Sequence, residues 1–416
     1  MTRRKDYNTE IGISEVEGLF NDNSDMLRQM LQNMIQAILE EEIVEYLHAG
    51  KYERTEDRRG QRNGYKPRTI NTRVGPLELQ KPQSRDSGFD TKLFERYQRS
   101  EKALRLALIE SYIQGVSTRK TKRITEELCG TEFSATTISN LTKKLDTELE
   151  KFRNRDLSGK EYKYLMIDAR YEKGRKRKNG AIVDRAVLVV AGITEKGYRE
   201  IIGVDVANLE SEGTWSEIFR SMRDRGLHGV EYIVSDAHKG IKKAIQKEFT
   251  GCKWQRCRVH FVRNILNQIK KKDTHIILKA LDYIFESDRM DQARSRKERV
   301  VEYLEDIDPK IASKIDEEIE ETLTVLTLPK PHRKRMKSTN MVERLNERLK
   351  QRTKVVRIFP NDESCLRLIT ALLKEVHEDW ITGRRYLIMD VEDEIHDNHE
   401  ENEDEAWPFE LEKVLK

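Results

Sequence analysis

Residues 163–170 read K-Y-L-M-I-D-A-R. Tyr164, Leu165, Met166 and Ile167 form a short apolar run that suits a strand buried on both faces. Asp168 closes the run with a carboxylate. A buried carboxylate without a partner costs several kcal/mol or gives up its charge. Its partner can be a cation, a metal ion or a helix N-terminus. The rest of the chain must show whether further carboxylates converge on the same point.

Downstream, residues 181–193 (A-I-V-D-R-A-V-L-V-V-A-G-I) and 198–207 (Y-R-E-I-I-G-V-D-V-A) read as two more strands. Both are rich in Val and Ile and are separated by glycine-containing turns, so an antiparallel meander is expected. Residues 212–224 read as a helix carrying Trp215, Ile218, Phe219 and Met222. A fourth strand at 230–234 runs into Ser235-Asp236-Ala237-His238 and a helix at 241–249. Three meander strands, a helix and a returning strand form the opening order of an RNase H-like fold. That order lays the ends of the first and fourth strands side by side, which would bring Asp168 and Asp236 together. The expected fold class is α/β, a mixed-sheet catalytic domain interrupted by an all-α insertion and preceded by a helical, helix-turn-helix-type region.

Residues 251–260 read G-C-K-W-Q-R-C-R-V-H. Cys257 and His260 have metal-ligand spacing, but no second C-x-x-C or H-x-x-x-H completes a closed zinc site. A structural Cys/His pair beside the site is the alternative. Residues 261–328 are helical in pattern and too long for a connection within a sheet, so they form an inserted subdomain. In the basic stretch that follows, Val342, Leu345 and Leu349 make the inward stripe of a helix. Glu343, Asn346, Glu347 and Lys350 lie on another side of it. Asn340 and Glu343 also satisfy a capping box, so Glu343 is either a helix-start residue or a carboxylate held among cations.

Upstream, residues 24–48 read as one amphipathic helix with Leu27, Leu31, Met34 and Ile38 inward and Ile43 and Leu47 extending the stripe, for core packing or dimerisation. Residues 51–90 suggest loops or short hairpins, with one hairpin around Gly75-Pro76. Arg62 and Lys66, interleaved with Tyr65, suit contacts to a nucleic-acid backbone. Residues 101–149 read as three helices, the second capped by Ser117 and the third by Ser134. This is the layout of a helix-turn-helix or of an ordinary packing unit. In the first case Thr136, Thr137, Ser139 and Asn140 would meet base edges, and Lys143 and Lys144 phosphates.

The 416 residues suit two or three domains, and the net charge of +4 conceals strong segregation. Residues 51–105 carry fifteen Lys/Arg against eight Asp/Glu, and residues 330–354 carry ten against two. Residues 390–405 carry ten acidic residues and no Lys or Arg, which reads as an acidic tail. Two basic zones point to a polyanion, most simply nucleic acid, or else to a solvated charged surface. Four scattered cysteines make no disulfide framework. No apolar run suits a bilayer, and no secretory segment follows residues 1–10, so a cytoplasmic, nucleoid-associated protein with no membrane partner is expected. The expected division is 1–50, 51–100, 101–150, 160–260, 261–330, 331–385 and 386–416.

Seven motifs in order resemble those of the Mutator-type transposases of prokaryotic insertion sequences. They are R-N-G-Y at 62–65, Y-I-Q-G-V-S-T-R at 112–119, I-D-A-R at 167–170 and S-D-A-H-K-G-I-K-K-A-I at 235–245. W-Q-R-C-R-V-H-F-V-R-N at 254–264, S-T-N-M-V-E-R-L-N-E at 338–347 and I-F-P-N at 358–361 complete the series. Ile241 and Arg357 stand where the family pattern suggests Leu and Gly.

The resemblance implies a DDE transposase with Asp168, Asp236 and Glu343 as its triad, Glu347 being the rival third member. It also implies Mg²⁺, with Mn²⁺ as a substitute, and double-stranded DNA partners: terminal inverted repeats and a target. Joining two ends implies a homodimer or higher multimer on DNA. Arg119, Arg170 and Arg344 lie in the motifs as phosphate contacts. A DNA-binding repressor that has lost catalysis, and a structure-specific nuclease or resolvase, are the alternatives from other classes.

Overall fold

The computed structural model describes residues 24–53, 56–85, 88–93, 100–114, 116, 121, 123, 125–126, 133–175 and 180–390. Arg119, most of the second of the three helices expected at 101–149, and residues 391–416 of the acidic segment lie outside them. The chain divides into two compact units, Met1–Lys144 and Leu145–Lys416.

The first unit contains α1 (Ser24–Leu47), the antiparallel hairpin β1 (Arg62–Thr72) and β2 (Gly75–Ser84), α2 (Lys102–Ile113) and α3 (Ala135–Thr142). The R-N-G-Y-K-P-R stretch is part of β1, not a loop. It enters through a register shift between Arg62 and Tyr65, where Gly64 takes a φ of 72°. A two-stranded ribbon leaves one edge of each strand free, so Pro67 and Pro82 are tolerated. Gln36 of α1 covers the β2 edge: its amide donates to Gln80 O and its Oε1 accepts from Gln80 N, both at 2.9 Å.

The stripe that α1 buries matches the expected one at Leu31, Ile43 and Leu47 and differs from it elsewhere. Leu39 packs on Ile70, Leu77 and Leu79, with Leu31 and Ile35 beside it. Leu27, Met34 and Ile38 are exposed. A ribbon of two strands is too narrow to cover a broad helix face. In the second cluster, Leu104 and Leu108 meet Phe133 and Ile138. The helix starting after Ser134 stops at Thr142, and a 3₁₀ turn (Lys143–Leu145) separates it from α4 (Asp146–Arg153). The third helix expected to run to residue 149 is therefore broken in two. Leu149 and Phe152 serve α4, which packs on the last helix of the second unit.

The second unit is built on a five-stranded mixed sheet of order β5-β4-β3-β6-β7. β3 (Tyr162–Arg175), β4 (Ile182–Thr194) and β5 (Arg199–Ala207) form the antiparallel meander. α5 (Glu212–Asp224) leads to β6 (Tyr232–Ser235), which returns parallel to β3. α6 (Lys239–Glu248) leads to β7 (Lys253–Arg256), parallel to β6. Leu165 and Ile167 point into one core with Leu188, Val190, Trp215, Phe219 and Ile241. The alternate residues Tyr164, Met166 and Asp168 face the other side.

Between β7 and α11 (Lys330–Met336) lies the helical insertion: α7 (Arg258–Leu266), α8 (Thr274–Phe285), α9 (Met290–Glu305) and α10 (Pro309–Glu318). It has a core of its own around Phe261, Ile277, Leu281, Val300 and Ile315. Buried Gln255 ties it to the sheet, donating to Thr322 O and accepting from Val325 N, each at 2.7 Å. Arg258 Nε also donates to Thr322 O at 3.0 Å. Part of the W-Q-R-C-R-V-H motif is thus an anchor for the insertion.

α12 (Asn340–Thr353) and α13 (Asp362–Thr382) cover the second face of the sheet, against β3 and β5. The I-F-P-N run joins them. Phe359 N donates to Lys173 O, Arg175 N donates to Phe359 O, and the Asn361 side chain caps α13. No described helix is long and apolar enough to cross a membrane.

Candidate active site

Strand register brings the first two carboxylates together. Tyr164, Leu165 and Met166 pair with Tyr232, Ile233 and Val234. Asp168 and Asp236 each follow the last pair by two residues, so they lie at one level. Asp236 stands just past β6, but Asp168 is within β3, which runs on to Arg175 paired with β4 rather than ending there as expected. Neighbouring strands lie about 4.8 Å apart. Asp168 is buried, and Asn346 Nδ2 on α12 donates to its Oδ2 at 2.7 Å. Burial pushes the Asp168 carboxyl up to about 6; His260 and the Asn346 hydrogen bond oppose this, while Asp236 and Glu343 add to it. Asp236 lies in the S-D-A-H turn, its Oδ1 accepting from His238 N at 3.2 Å. Gly240 lets α6 start there, because a Cβ would stand 2.8 Å from the Ser211 backbone.

The third carboxylate comes from the helix that packs on β3. The N-cap of α12 is Thr339 and no side chain caps it, so the capping-box role of Asn340 and Glu343 does not occur. The Thr339 hydroxyl is used elsewhere. It donates to Cys257 Sγ at 3.3 Å, and the Thr339 backbone N–H donates to the same sulfur at 3.4 Å. Glu343 is left free to turn toward His260, with Oε1 3.2 Å from Nε2. Glu347 is exposed and does not bear on Asp168.

The Cys-x-x-His pair thus braces the cluster. Cys257 N donates to Ser235 O at 2.7 Å, next to Asp236, while its sulfur holds the start of α12. His260, one turn into α7, lies between the thiol and the carboxylates. Its hydrogen bond with Cys257 raises the imidazole to about 9 despite burial, with Glu343 and Asp168 adding to the shift. Burial raises the Cys257 thiol, but hydrogen bonds with His260 and Thr339 outweigh it and the net direction is down. Cys257, His260 and Glu343 bring ligand atoms within 4.8 Å of one another. With the sulfur already accepting from Thr339 and no fourth member among the described residues, the group does not make a closed zinc site.

The cluster fits a hard divalent cation instead. It offers three carboxylates, and Glu343 Oε1 is buried without a hydrogen bond, facing His260 Nε2 at 3.2 Å. Mg²⁺ prefers oxygen ligands of this kind.

Other expected contacts fall differently. Arg170 is spent inside the protein: it pairs with Glu172, and its Nη1 donates to Asn346 O at 2.6 Å. It holds α12 against β3 and is not free to meet a phosphate. Arg62 is likewise paired, with Glu40 at 2.7 Å. Thr137 is only partly exposed, and its backbone and hydroxyl are engaged by the Ser134 cap. Lys66, Thr136, Ser139, Asn140, Lys143, Lys144 and Arg344 are exposed.

The sequence reading gave no role to Asn346, although it stands one turn from Glu343 on the same helix face. It also missed Glu210, a buried carboxylate bonded by Trp215 Nε1 (3.2 Å) and Tyr171 OH (3.3 Å). Burial raises the Glu210 pKa, with Asp236 contributing next. Only its place after β5 brings it near Asp236, and no sequence spacing signals that.

Residues 2–383 match the family model described as Transposase, Mutator family. The transposase for insertion sequence element ISRM5 of Rhizobium meliloti (strain 1021) is 46% identical over 375 residues, covering 90% of this chain and 94% of that protein. The transposase for IS256 in transposon Tn4001 of Staphylococcus aureus is 42% identical over 369 residues, 88% and 94% of the two chains. The transposase for IS1081 of Mycobacterium tuberculosis (strain ATCC 25618 / H37Rv) is 36% identical over 368 residues, 88% of each. Among solved structures, a Mos1 transposase paired-end complex with left transposon end overlaps 38% of this chain and 60% of that one. Its identity is 12% and its TM-score 0.14, too low to bear on the fold. The chain belongs to the Mutator family of transposases.

Proposed function

We propose that this chain is an insertion-sequence transposase that cuts and joins DNA at Asp168, Asp236 and Glu343. One observation carries the reading: the parallel register of β3 and β6 sets Asp168 beside Asp236, and Glu343 acts on Asp168 from α12. The strand order, with a meander on one side of β3 and parallel strands on the other, supports an RNase H-like domain. Recognition of terminal inverted repeats falls to the first unit, where the exposed Thr136, Ser139, Asn140, Lys143 and Lys144 cluster on and just after α3.

A divalent ion, Mg²⁺ or Mn²⁺, held by these carboxylates would supply activation of the attacking oxygen and stabilisation of the departing one. The sheet gives Asp168 and Asp236 a rigid floor, and Asn346 fixes one Asp168 oxygen so that the other stays available. His260 sets a cation against carboxylates that would otherwise repel one another. Water attacks phosphorus at the element's end and the 3′ oxygen departs as a hydroxyl. That hydroxyl then attacks a target phosphodiester, forming a new P–O bond as the target strand's own 3′ oxygen departs and takes up a proton. No covalent enzyme–DNA link forms, so no Ser or Tyr nucleophile is needed.

Asp168→Asn, Asp236→Asn and Glu343→Gln should each abolish cleavage of a terminal-repeat duplex in Mg²⁺ while leaving its binding intact. Glu347→Gln should still cleave. Full cleavage by any of the first three overturns the assignment.

A further inference from the structure

A groove of about 760 Å³ opens between α11, α12 and the end of α13. Lys334 and Arg335 enter it from α11, Arg344 and Arg348 from one face of α12, and Arg384 and Arg385 from the segment after α13. All six are exposed, and among the described residues no Asp or Glu lines the groove. Among the described residues none of the six has a carboxylate within 4.0 Å. Elsewhere many surface cations are matched, as in Lys163–Glu231, Arg220–Glu248 and Arg294–Glu320. In a chain with 78 Lys and Arg against 74 Asp and Glu, six unmatched cations in one groove are a local concentration. Held together they repel one another, and a polyanion would relieve that repulsion.

The aromatic groups define which polyanion fits. Arg199 lies over Trp380 and Tyr386, 4.7 and 4.9 Å from the ring centroids, and Arg335 covers Tyr386 at 4.8 Å. Guanidinium groups already occupy these rings, so they offer no free platform for an unpaired base. What remains is a set of guanidinium forks and an ammonium, which match phosphate oxygens. Arg344 and Arg348 project from a different face of α12 than Glu343 and Asn346. The groove is thus set off from the carboxylates across a single helix.

We infer that this groove takes the phosphodiester backbone of duplex DNA, away from the reacting phosphate and without reading bases. The choice of DNA as the polyanion rests on the transposase reading.

The test is the salt dependence of binding to a random-sequence duplex. It uses full-length Asp168→Asn protein in EDTA, so that no cleavage intervenes. Failure of the triad reading would show as cleavage by the single variants, which this measurement does not use. Arg344→Gln/Arg348→Gln and Arg384→Gln/Arg385→Gln should each flatten the slope of log affinity against log salt by about 0.9 for every phosphate no longer neutralised. These side chains are exposed and have no carboxylate partner among the described residues, Arg385 lying 5.9 Å over the Tyr198 ring, so thermal melts of both variants should stay close to the parent.

An unchanged slope in both variants overturns the inference. So does an equal loss on replacing the exposed Lys270, Lys271 and Lys272 by Gln, since the effect would then be one of net charge. A third outcome would assign the groove to the chain's own acidic segment. In it, exchanging the acids of residues 390–405 for Asn and Gln tightens DNA binding only when the groove arginines are intact, and the slope of the parent does not respond to the groove variants. That result also overturns the inference.

Discussion

Asp168 is held under two opposing demands. Its place at the end of the buried stretch of β3 disfavours the charge that metal binding requires. Burial raises its pKa from an ordinary 3.8 to about 6. The folded state therefore holds this proton more tightly than the unfolded state. Without metal, its contribution to stability falls as pH rises from about 4 through 6. Asp168→Asn should then be more stable than the parent at pH 7.5 in EDTA, by on the order of 2 kcal/mol, with the difference vanishing near pH 4. Urea unfolding at the two pH values measures it. Equal stability at both would mean that the carboxylate is not strained. Added Mg²⁺ should stabilise the parent and not the variant.

At the scale of elements, the start of α12 determines which side chains face the strands. Residues one apart on a helix point about 100° apart, so a shift of one position in the N-cap changes the reading of the whole first turn. Thr339 takes the cap because Cys257 holds its hydroxyl and N–H, and Glu343 is released from a capping role. The other end of this segment carries a strained residue. Arg357 has a φ of 60°, the left-handed region that favours glycine. This is the position where the family pattern suggested Gly. Arg357→Gly should raise the unfolding free energy measured in urea by about 0.5–1 kcal/mol, the relief of strain exceeding the cost of a freer unfolded chain. Arg357→Ala keeps a Cβ and should show no such gain.

At the scale of the molecule, each unit has hydrophobic clusters of its own. Calorimetric unfolding should therefore not be two-state: the measured enthalpy should exceed the van't Hoff value, with the smaller first unit contributing a separate transition. A single transition with matching enthalpies would mean that the units unfold as one. Residues 330–354, basic as a block in the sequence, separate in the structure into different surfaces. Arg344 and Arg348 go to the groove, while Glu343 and Asn346 go to the carboxylates.

Much of the second unit was legible because β-branched runs such as 186–191 specify buried strands wherever they sit. The parallel return of β6 after one helix also leaves few alternative topologies. The addresses of Asp168 and Asp236 follow from that pattern, since each stands just past an apolar run. The first unit was less legible. Its ribbon is narrow, and the face that α1 buries depends on what lies beneath it rather than on its own periodicity.

The sequence by itself determined an α/β sheet with carboxylates just past two apolar runs, an inserted helical subdomain and a basic helix beyond it. Local apolar periodicity carries that information. Only the tertiary structure decided which face of the basic helix meets Asp168, that Arg170 braces rather than binds, and that Cys257 and His260 tie three elements together. Those outcomes depend on contacts between residues 80 to 180 positions apart, and no local pattern encodes them.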